Sequence, residues 1–367
     1  MPIEIVILAG GGGTRLHPLS TPERPKPFLP LLAPVRDGEP ETLIQRTVSR
    51  LLGGPELAGL ERASITVVAA AAHALHVRTQ LPGVTVIEEP VGRNTAPAIA
   101  LAAMAPGDDE AVMAVLPADH LIEREAAFRA VLRAAAERLA TGVFSIDGPL
   151  VTLGVQVTRP ATEYGYLLPE LGRGASVGGL DAYPLLRFEE KPSPERAETL
   201  LGEPGVAWNA GMFVWRRRAI RAALETHAPD VAAAIAGGLR DGRLDDAYAG
   251  VRAVSIDYAV MEPAAAAGRV VMAAMDVGWS DLGGWTALLE ALGARGTGRV
   301  IQPGEVAAAG AEDLVIRRVG GQLTLETGPR EGILDGDGPS ALLTGAAADA
   351  SIVEALLARC SPPEAGT

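Results

Sequence analysis

The sequence predicts an α/β fold, a mostly parallel sheet covered by helices on both faces, followed by a small β-rich C-terminal region. Three observations carry this reading. Short apolar runs alternate with helical segments through about the first 290 residues, the pattern of crossover-connected strands. The first such run, Ile3 to Leu8, opens into four consecutive glycines, Gly10 to Gly13. After Gly293 glycine becomes frequent and the periodic segments shorten.

Taken in order, Ile3 to Leu8 reads as a buried first strand. A helix follows from about Glu41 to Leu52, with Leu43, Ile44, Val48 and Leu51 on its apolar face. Ile65 to Ala70 and Val84 to Glu88 read as strands, Thr95 to Met104 as an apolar helix, and Ala111 to Leu116 as a buried strand. Glu123 to Leu139 is amphipathic. Short strands are expected at Val151 to Val155, Tyr183 to Glu189 and Gly211 to Val214, and helices at Ser193 to Leu201, Arg216 to Thr226 and Ser255 to Met261. Val270 to Ala274 reads as a strand and Trp285 to Leu292 as a helix. The domain boundary falls near Gly296. Beyond it come small strands at Leu314 to Val319 and Gln322 to Leu325, and a closing helix from Ala346 to Arg359.

Composition narrows the function. The chain has 367 residues, 48% of them hydrophobic, enough for one large domain and a small one. A net charge of −13 and no basic cluster beyond Arg216 to Arg218 argue against a nucleic-acid partner. No apolar run reaches the ~20 residues of a membrane span. The N-terminus enters a strand without a signal-like leader, and the single cysteine, Cys360, allows no internal disulfide; both suit the cytoplasm. Of the 32 basic residues 30 are arginine, and only Lys26 and Lys191 are lysine; asparagine occurs only at Asn94 and Asn209. Such usage fits a GC-rich genome, in which the positions that retain lysine or asparagine are expected to need those side chains.

The chemistry starts in the glycine loop. Gly10, Gly11, Gly12 and Gly13 leave backbone N–H groups open to an anion. Arg15 follows, and Lys26 arrives after Pro22 and Pro25 have stiffened the segment. A dinucleotide fingerprint would need glycine where Arg15 stands, and no Walker Gly-Lys-Ser/Thr run occurs. The loop reads as a triphosphate cradle, against the plainer alternative of a flexible surface turn. Leu116-Pro117-Ala118-Asp119-His120 ends a strand, where ligands of open α/β sheets gather. Gly278-Trp279-Ser280-Asp281-Leu282-Gly283 presents a second carboxylate. Two carboxylates completed by phosphate oxygens and water suit Mg²⁺, although each aspartate could instead cap a helix. Glu88 to Pro97 joins a strand to a helix; its Arg93, Asn94 and Thr95 could read a base or ribose, or Asn94 could simply cap the helix. Phe188-Glu189-Glu190-Lys191-Pro192 offers an ammonium for a second phosphate and, at Glu189, an acceptor for sugar hydroxyls. Asn209 supplies an amide before a strand, and Tyr164-Gly165-Tyr166 a backbone N–H and a flat wall. The five histidines show no zinc spacing.

In this order the motifs resemble bacterial mannose-1-phosphate guanylyltransferases. The matching stretches are the loop from Leu8 to Leu31, Glu89-Pro-x-Gly-Arg-Asn-Thr-Ala-Pro, Pro-Ala-Asp119-His, Phe188-x-Glu-Lys-Pro, Trp208-Asn-x-Gly-Met-Phe, Ser255-Ile-Asp-Tyr-Ala-Val-Met-Glu and Gly278-Trp-Ser-Asp-x-Gly-x-Trp285. The resemblance implies a Rossmann-like, GT-A-like three-layer α/β/α nucleotidyltransferase domain over 1–295 and a C-terminal β-rich region over 296–367. It implies transfer of GMP from GTP to mannose 1-phosphate with Mg²⁺. Arg15, Lys26, Asp119, Lys191 and Asp281 would carry the catalysis, with Asp119 and Asp281 on the metal. Leu8, Gly10 to Gly13, Thr14, Arg15, Lys26, Arg93, Asn94, Thr95, Pro117 and Asp119 would bind the nucleotide. Tyr164, Gly165, Tyr166, Glu189, Lys191 and Asn209 would bind the sugar phosphate. A homodimer is expected. Glu163, Ala210 and Pro263 depart from the family's usual glycine, serine and lysine, and the tail is far too short for the isomerase domain fused to some relatives. A nucleotidyltransferase of other specificity and a non-catalytic sugar-nucleotide sensor are the alternatives.

Overall fold

The computed structural model describes residues 3–11, 14–33, 40–327 and 338–361. By its contacts the chain divides into two compact units that do not follow chain order. One comprises Met1–Gly10, Ser49–Pro117 and Ile122–Trp279, the other Gly11–Val48, Ala118–Leu121 and Ser280–Thr367.

The first unit is built on a 10-stranded sheet. Its strands are β1 Ile3–Leu8, β2 Ile65–Ala70, β3 Thr85–Glu89, β4 Val112–Pro117, β5 Leu150–Gln156, β6 Tyr166–Pro169, β7 Ala175–Val177, β8 Leu180–Glu189, β9 Ala207–Arg216 and β10 Val270–Ala274. The spatial order is β7-β8-β10-β5-β9-β4-β1-β2-β3, with β6 paired to β8 and β9. The expected parallel pairing holds for β3-β2-β1-β4 and for β10 with β5. It fails at β9, which runs antiparallel to both β4 and β5, and at β8, antiparallel to β10. The sheet is therefore mixed. An apolar run buried on both faces reads the same in either direction, so composition could not reveal the reversal.

Both faces are covered, as the continuous apolar strands required. Val6, Met113, Val115, Phe213 and Trp215 point to one side and pack with helices Thr95–Met104, Arg217–His227 and Pro229–Asp241. Their alternates Ile5, Ile7, Ala114, Leu116 and Val214 point the other way and are equally buried. There a π turn, Ala135–Leu139, packs against β4 and β9; it ends the amphipathic segment, whose α-helical part is Glu125–Ala134.

The second unit carries a four-stranded antiparallel sheet of β11 Thr297–Ile301, β12 Leu314–Val319, β13 Gln322–Thr327 and β14 Ser340–Thr344, in the order β11-β14-β12-β13. Its core joins Leu16, Leu19, Leu29 and Leu31 of the cradle segment to Trp285, Leu288, Leu314, Leu343 and Leu356. Backbone carbonyls of the cradle segment are held by distant side chains: Trp285 Nε1 donates to His17 O at 2.9 Å, Arg318 Nη2 to Pro18 O at 2.8 Å, and Arg359 Nη2 to Leu31 O at 3.1 Å. Among the described residues no helix is long and apolar enough to cross a membrane.

Candidate active site

In the second unit three expected residues meet. Lys26 follows Pro25, whose fixed φ starts the short turn Lys26–Phe28. Its side chain is driven inward by Phe28, Leu29 and Leu31, and the residue is only 8% exposed. A buried ammonium needs partners. Lys26 Nζ finds Asp119 Oδ2 at 2.8 Å and the Asp281 carbonyl oxygen at 2.6 Å. Burial alone would push the Asp119 carboxyl up, but the Lys26 ammonium and His120 hold it below the usual carboxylate range. Asp281 Oδ1 accepts from Gly283 N–H at 3.0 Å, an Asx turn, and Leu282 between them is forced to φ 46°. Asp119 thus reaches the ammonium through its carboxylate and Asp281 through its backbone carbonyl, while the Asp281 carboxylate turns to Gly283 N–H. Among the described residues no group of three or more His, Cys, Asp or Glu is placed to hold a metal by itself. Arg15 is exposed, in the single turn Thr14–Leu16. Thr14 and Arg15 line a cavity of about 640 Å³ with Gly283, Gly284 and Arg299. Gly11 is exposed, and Gly12 and Gly13 lie outside the described residues.

In the first unit Leu8 and Pro117 stand side by side at the ends of β1 and β4. Gly10 has a reason to be glycine: a Cβ there would lie 2.8 Å from Glu89 Oε2. Glu89, which the sequence places in the motif but to which it assigns no role of its own, is 2% exposed, and burial raises its carboxyl to about 7 although Tyr248 O–H donates toward it. Arg93, Asn94 and Thr95 brace the chain instead of standing free for a base. Arg93 donates to the carbonyls of Tyr248 and Ala249 at 2.9 and 3.0 Å. Asn94 Oδ1 accepts from Thr95 N–H at 2.8 Å as the N-cap of helix Thr95–Met104, and Thr95 Oγ1 accepts from Ile256 N–H at 2.8 Å.

A second cluster of the first unit gathers Tyr164, Gly165, Lys191 and Asn209. Lys191 N–H reaches Tyr164 O at 3.3 Å, and Asn209 N–H reaches Gly165 O at 2.8 Å. Lys191 sits at φ 46°, its side chain 53% exposed and its Nζ 3.1 Å from Glu190 Oε1. Two expectations change here. Glu189 is not a free acceptor: Arg196 grips it with two hydrogen bonds of 2.7 and 2.9 Å, and Arg187 pairs with it as an ion pair at 2.6 Å. The strand alternation instead turns Glu190 inward, with Oε2 lying 2.5 Å from where a Gly165 Cβ would be. Tyr166 is fully buried and its hydroxyl accepts from Ala161 N–H at 2.8 Å, so it belongs to the core. The wall is made by Tyr164 edge-on between Trp208 and Trp279, at ring separations of 5.0 and 5.5 Å. Asn209 Oδ1 is filled by Thr152 Oγ1 at 2.8 Å and Gly211 N–H at 3.1 Å, and its Nδ2 donates to Asp257 Oδ1 at 2.9 Å. Asp257 and Glu262 were also missed, because a period that reads as a helix hides which of its carboxyls turn inward.

Residues 4–295 match the family described as Nucleotidyl transferase. The chain belongs to that family. The matched stretch of the nucleotidyl transferase encloses Lys26, Asp119, Lys191, Asn209 and Asp281. The chain is 36% identical over 326 residues to a Sinorhizobium fredii protein named mannose-1-phosphate guanylyltransferase, covering 84% of this chain and 59% of that protein. An Escherichia coli protein of the same name is 35% identical, covering 85% of this chain and 68% of its own. A solved structure described as mannose-1-phosphate geranyltransferase from Thermus thermophilus shares 32% identity at a TM-score of 0.67, with 80% of each chain covered. This nucleotidyl transferase therefore spans less than two thirds of the length of the Sinorhizobium relative.

Proposed function

We propose that this chain transfers GMP from GTP to mannose 1-phosphate, giving GDP-mannose and pyrophosphate. The observation that carries nucleotidyl transfer is the meeting of Lys26, Asp119 Oδ2 and Asp281 O across 255 residues of sequence. The names of the relatives at 35 and 36% identity support the choice of GTP and mannose 1-phosphate.

No protein nucleophile is needed. The second pKa of a phosphate monoester lies near ~6, so the sugar phosphate is mostly dianionic at neutral pH. One of its oxygens attacks the α-phosphorus, and the bond to the bridging oxygen of pyrophosphate breaks. The protein supplies position and positive charge. Lys26, together with Arg15, faces the triphosphate. Lys191, half exposed, takes the sugar phosphate, and the Tyr164–Trp208–Trp279 wall flanks the hexose. Asp119 and Asp281 would hold Mg²⁺, which when bound neutralises phosphate oxygens and the leaving charge.

The test is pyrophosphate release measured over a panel of nucleoside triphosphates and sugar 1-phosphates. GTP with mannose 1-phosphate should turn over fastest, and only with a divalent cation. Robust turnover of another pair, with none for this one, would sink the assignment.

A further inference from the structure

Behind the Lys191 turn three carboxyls and one ammonium crowd together, and the reaction above uses only the ammonium. The Glu190 side chain is 6% exposed. Its Oε1 accepts from Lys191 Nζ at 3.1 Å, its backbone N–H donates to Glu262 Oε1 at 2.7 Å, and its carbonyl accepts from Tyr258 O–H at 3.1 Å. Asp257 stands at the start of the π turn Asp257–Met261 and accepts from the Asn209 amide at 2.9 Å. The charges that act on the Asp257 carboxyl are those of Glu190 and Lys191, those that act on Glu190 are Lys191 and Glu262, and all four act on Tyr258. Among the described residues, the two long helices packed on the π turn bring no compensating cation. Helix Thr95–Met104 has no ionisable side chain. The arginines of helix Arg217–His227 are spent on Glu4, Asp109, Glu110, Asp147 and the carbonyls of Ala102 and Ala103. Lys191 is thus the counter-charge of the cluster.

We propose that the buried carboxyl cluster of Glu190 and Asp257 takes up one proton from solvent when an anionic sugar phosphate arrives at Lys191. The inference rests on Lys191 being the phosphate-binding lysine. An ammonium turned toward phosphate gives less to Glu190, and a buried carboxylate left without its partner is costly. A solvent proton bonding to one carboxylate oxygen removes the cost, and no other bond is made or broken. The electrostatics agree: burial and the Glu190 charge push the Asp257 carboxyl up to about 7, and burial raises that of Glu190. Asp257 is in this reading a positioning residue, acting through Asn209 and Glu190. Sugar-phosphate binding must then weaken as pH rises, with a limiting slope of roughly tenfold per pH unit.

Calorimetric titration of mannose 1-phosphate into the full chain, with Mg²⁺ and a non-hydrolysable GTP analogue present, tests this in two buffers of different ionisation enthalpy. At about pH 8 a phosphate with a second pKa near ~6 is already dianionic, so any proton taken up goes to the protein. The expected result is net uptake approaching one proton per sugar phosphate bound. In Asp257→Asn, which keeps an acceptor for Asn209, both the uptake and the pH slope of Kd should disappear. If that variant does not fold, Glu190→Gln tests the pair from its other member. Wild-type binding with no buffer-dependent enthalpy, or an Asp257→Asn protein with unchanged uptake, overturns the proposal. Lys191→Ala separates the two layers. Unchanged sugar-phosphate binding in Lys191→Ala refutes the phosphate-binding role itself. Binding lost in Lys191→Ala, with no proton uptake by the wild type, refutes only the proton coupling.

Discussion

The chain's two lysines and two asparagines all stand at buried or conformationally constrained positions. Lys26 is buried between two acceptors, Lys191 and Asn94 sit at φ 46° and 69°, and Asn209 is the hub of a buried polar network. Asparagine tolerates positive φ better than most residues, which accounts for Asn94. Lys26→Arg should lower kcat about ten- to a hundredfold, less than the ~10²–10³ of losing a positioned donor outright, because a planar guanidinium does not fit between Asp119 Oδ2 and Asp281 O. Lys191→Arg, at a half-exposed site, should mainly raise KM for mannose 1-phosphate. Steady-state kinetics varying each substrate distinguishes the two, and wild-type constants in both would reduce the lysine scarcity to codon accident. Asp281→Asn keeps the carbonyl that holds Lys26 and an oxygen for Gly283 N–H, so it should melt like the wild type while losing most activity at limiting Mg²⁺. Near-normal turnover would make Asp281 purely structural. Glu89 gives a pH effect of defined sign. Its folded carboxyl titrates near 7 instead of the usual 4.5, so its contribution to stability is full below 4.5 and is lost as pH rises through 7. The loss is roughly 3 kcal/mol at most. Glu89→Gln should therefore melt a few degrees higher than wild type at about pH 8 and no higher at about pH 4. Equal melting shifts at both pH values would contradict a buried titrating Glu89.

At the scale of elements, periodicity located Ile65–Ala70, Thr95–Met104, Val270–Ala274 and Leu314–Val319 to the residue. Caps decided other boundaries. The helix expected from Glu41 starts at Leu43 because Thr42 and Gln45 bond reciprocally, Thr42 N–H to Gln45 Oε1 at 2.9 Å and Gln45 N–H to Thr42 Oγ1 at 3.5 Å. Ser193 caps Pro194–Leu201 in the same spirit. The segment expected as a helix over Ser255 to Met261 is a π turn continued by Glu262–Ala266, with Pro263 in the first α turn. Helices Pro229–Asp241 and Leu244–Gly250 were not legible, since Gly237-Gly238 reads as a breaker. The packing explains one of those glycines. A Cβ on Gly238 would lie 2.6 Å from Ala247 Cβ, whereas on Gly237 its nearest neighbour is Arg240 Nη2 at 3.7 Å. Gly237→Ala should accordingly stabilise the protein by about 0.5–1 kcal/mol through helix propensity, and Gly238→Ala should destabilise it by about 1–3 kcal/mol through overpacking. Thermal melts of the two variants should shift in opposite directions; the same direction would mean the helices do not approach this closely.

At the scale of the whole molecule, the family match ends at 295, yet the cradle segment Gly11–Val48 shares its core with Ser280–Thr367. Leu16, Leu19, Leu29 and Leu31 are buried in part by Leu314, Ile316, Leu343, Val353 and Leu356. Deleting 296–367 should expose those leucines and release Lys26 from Asp119. The truncated chain should bind a hydrophobic dye, lose its cooperative melt and show no pyrophosphate release. A truncated chain with wild-type turnover would make the C-terminal sheet dispensable to the cradle.

What the sequence determined by itself was local or ordered along the chain: the alternation of strands and helices, the glycine loop, and a series of motifs whose order identifies the family. These survive in one dimension because a period or a motif needs only neighbouring residues. The tertiary structure alone decided that β9 runs antiparallel, that Lys26 lies between Asp119 and Asp281, that Glu190 and not Glu189 turns inward beside Gly165, and that Asp257 lies against Asn209. Alternation divides a strand into two faces without saying which is inside. The partner of a buried charge can be 255 residues away, as Asp281 is from Lys26, where no local pattern reaches.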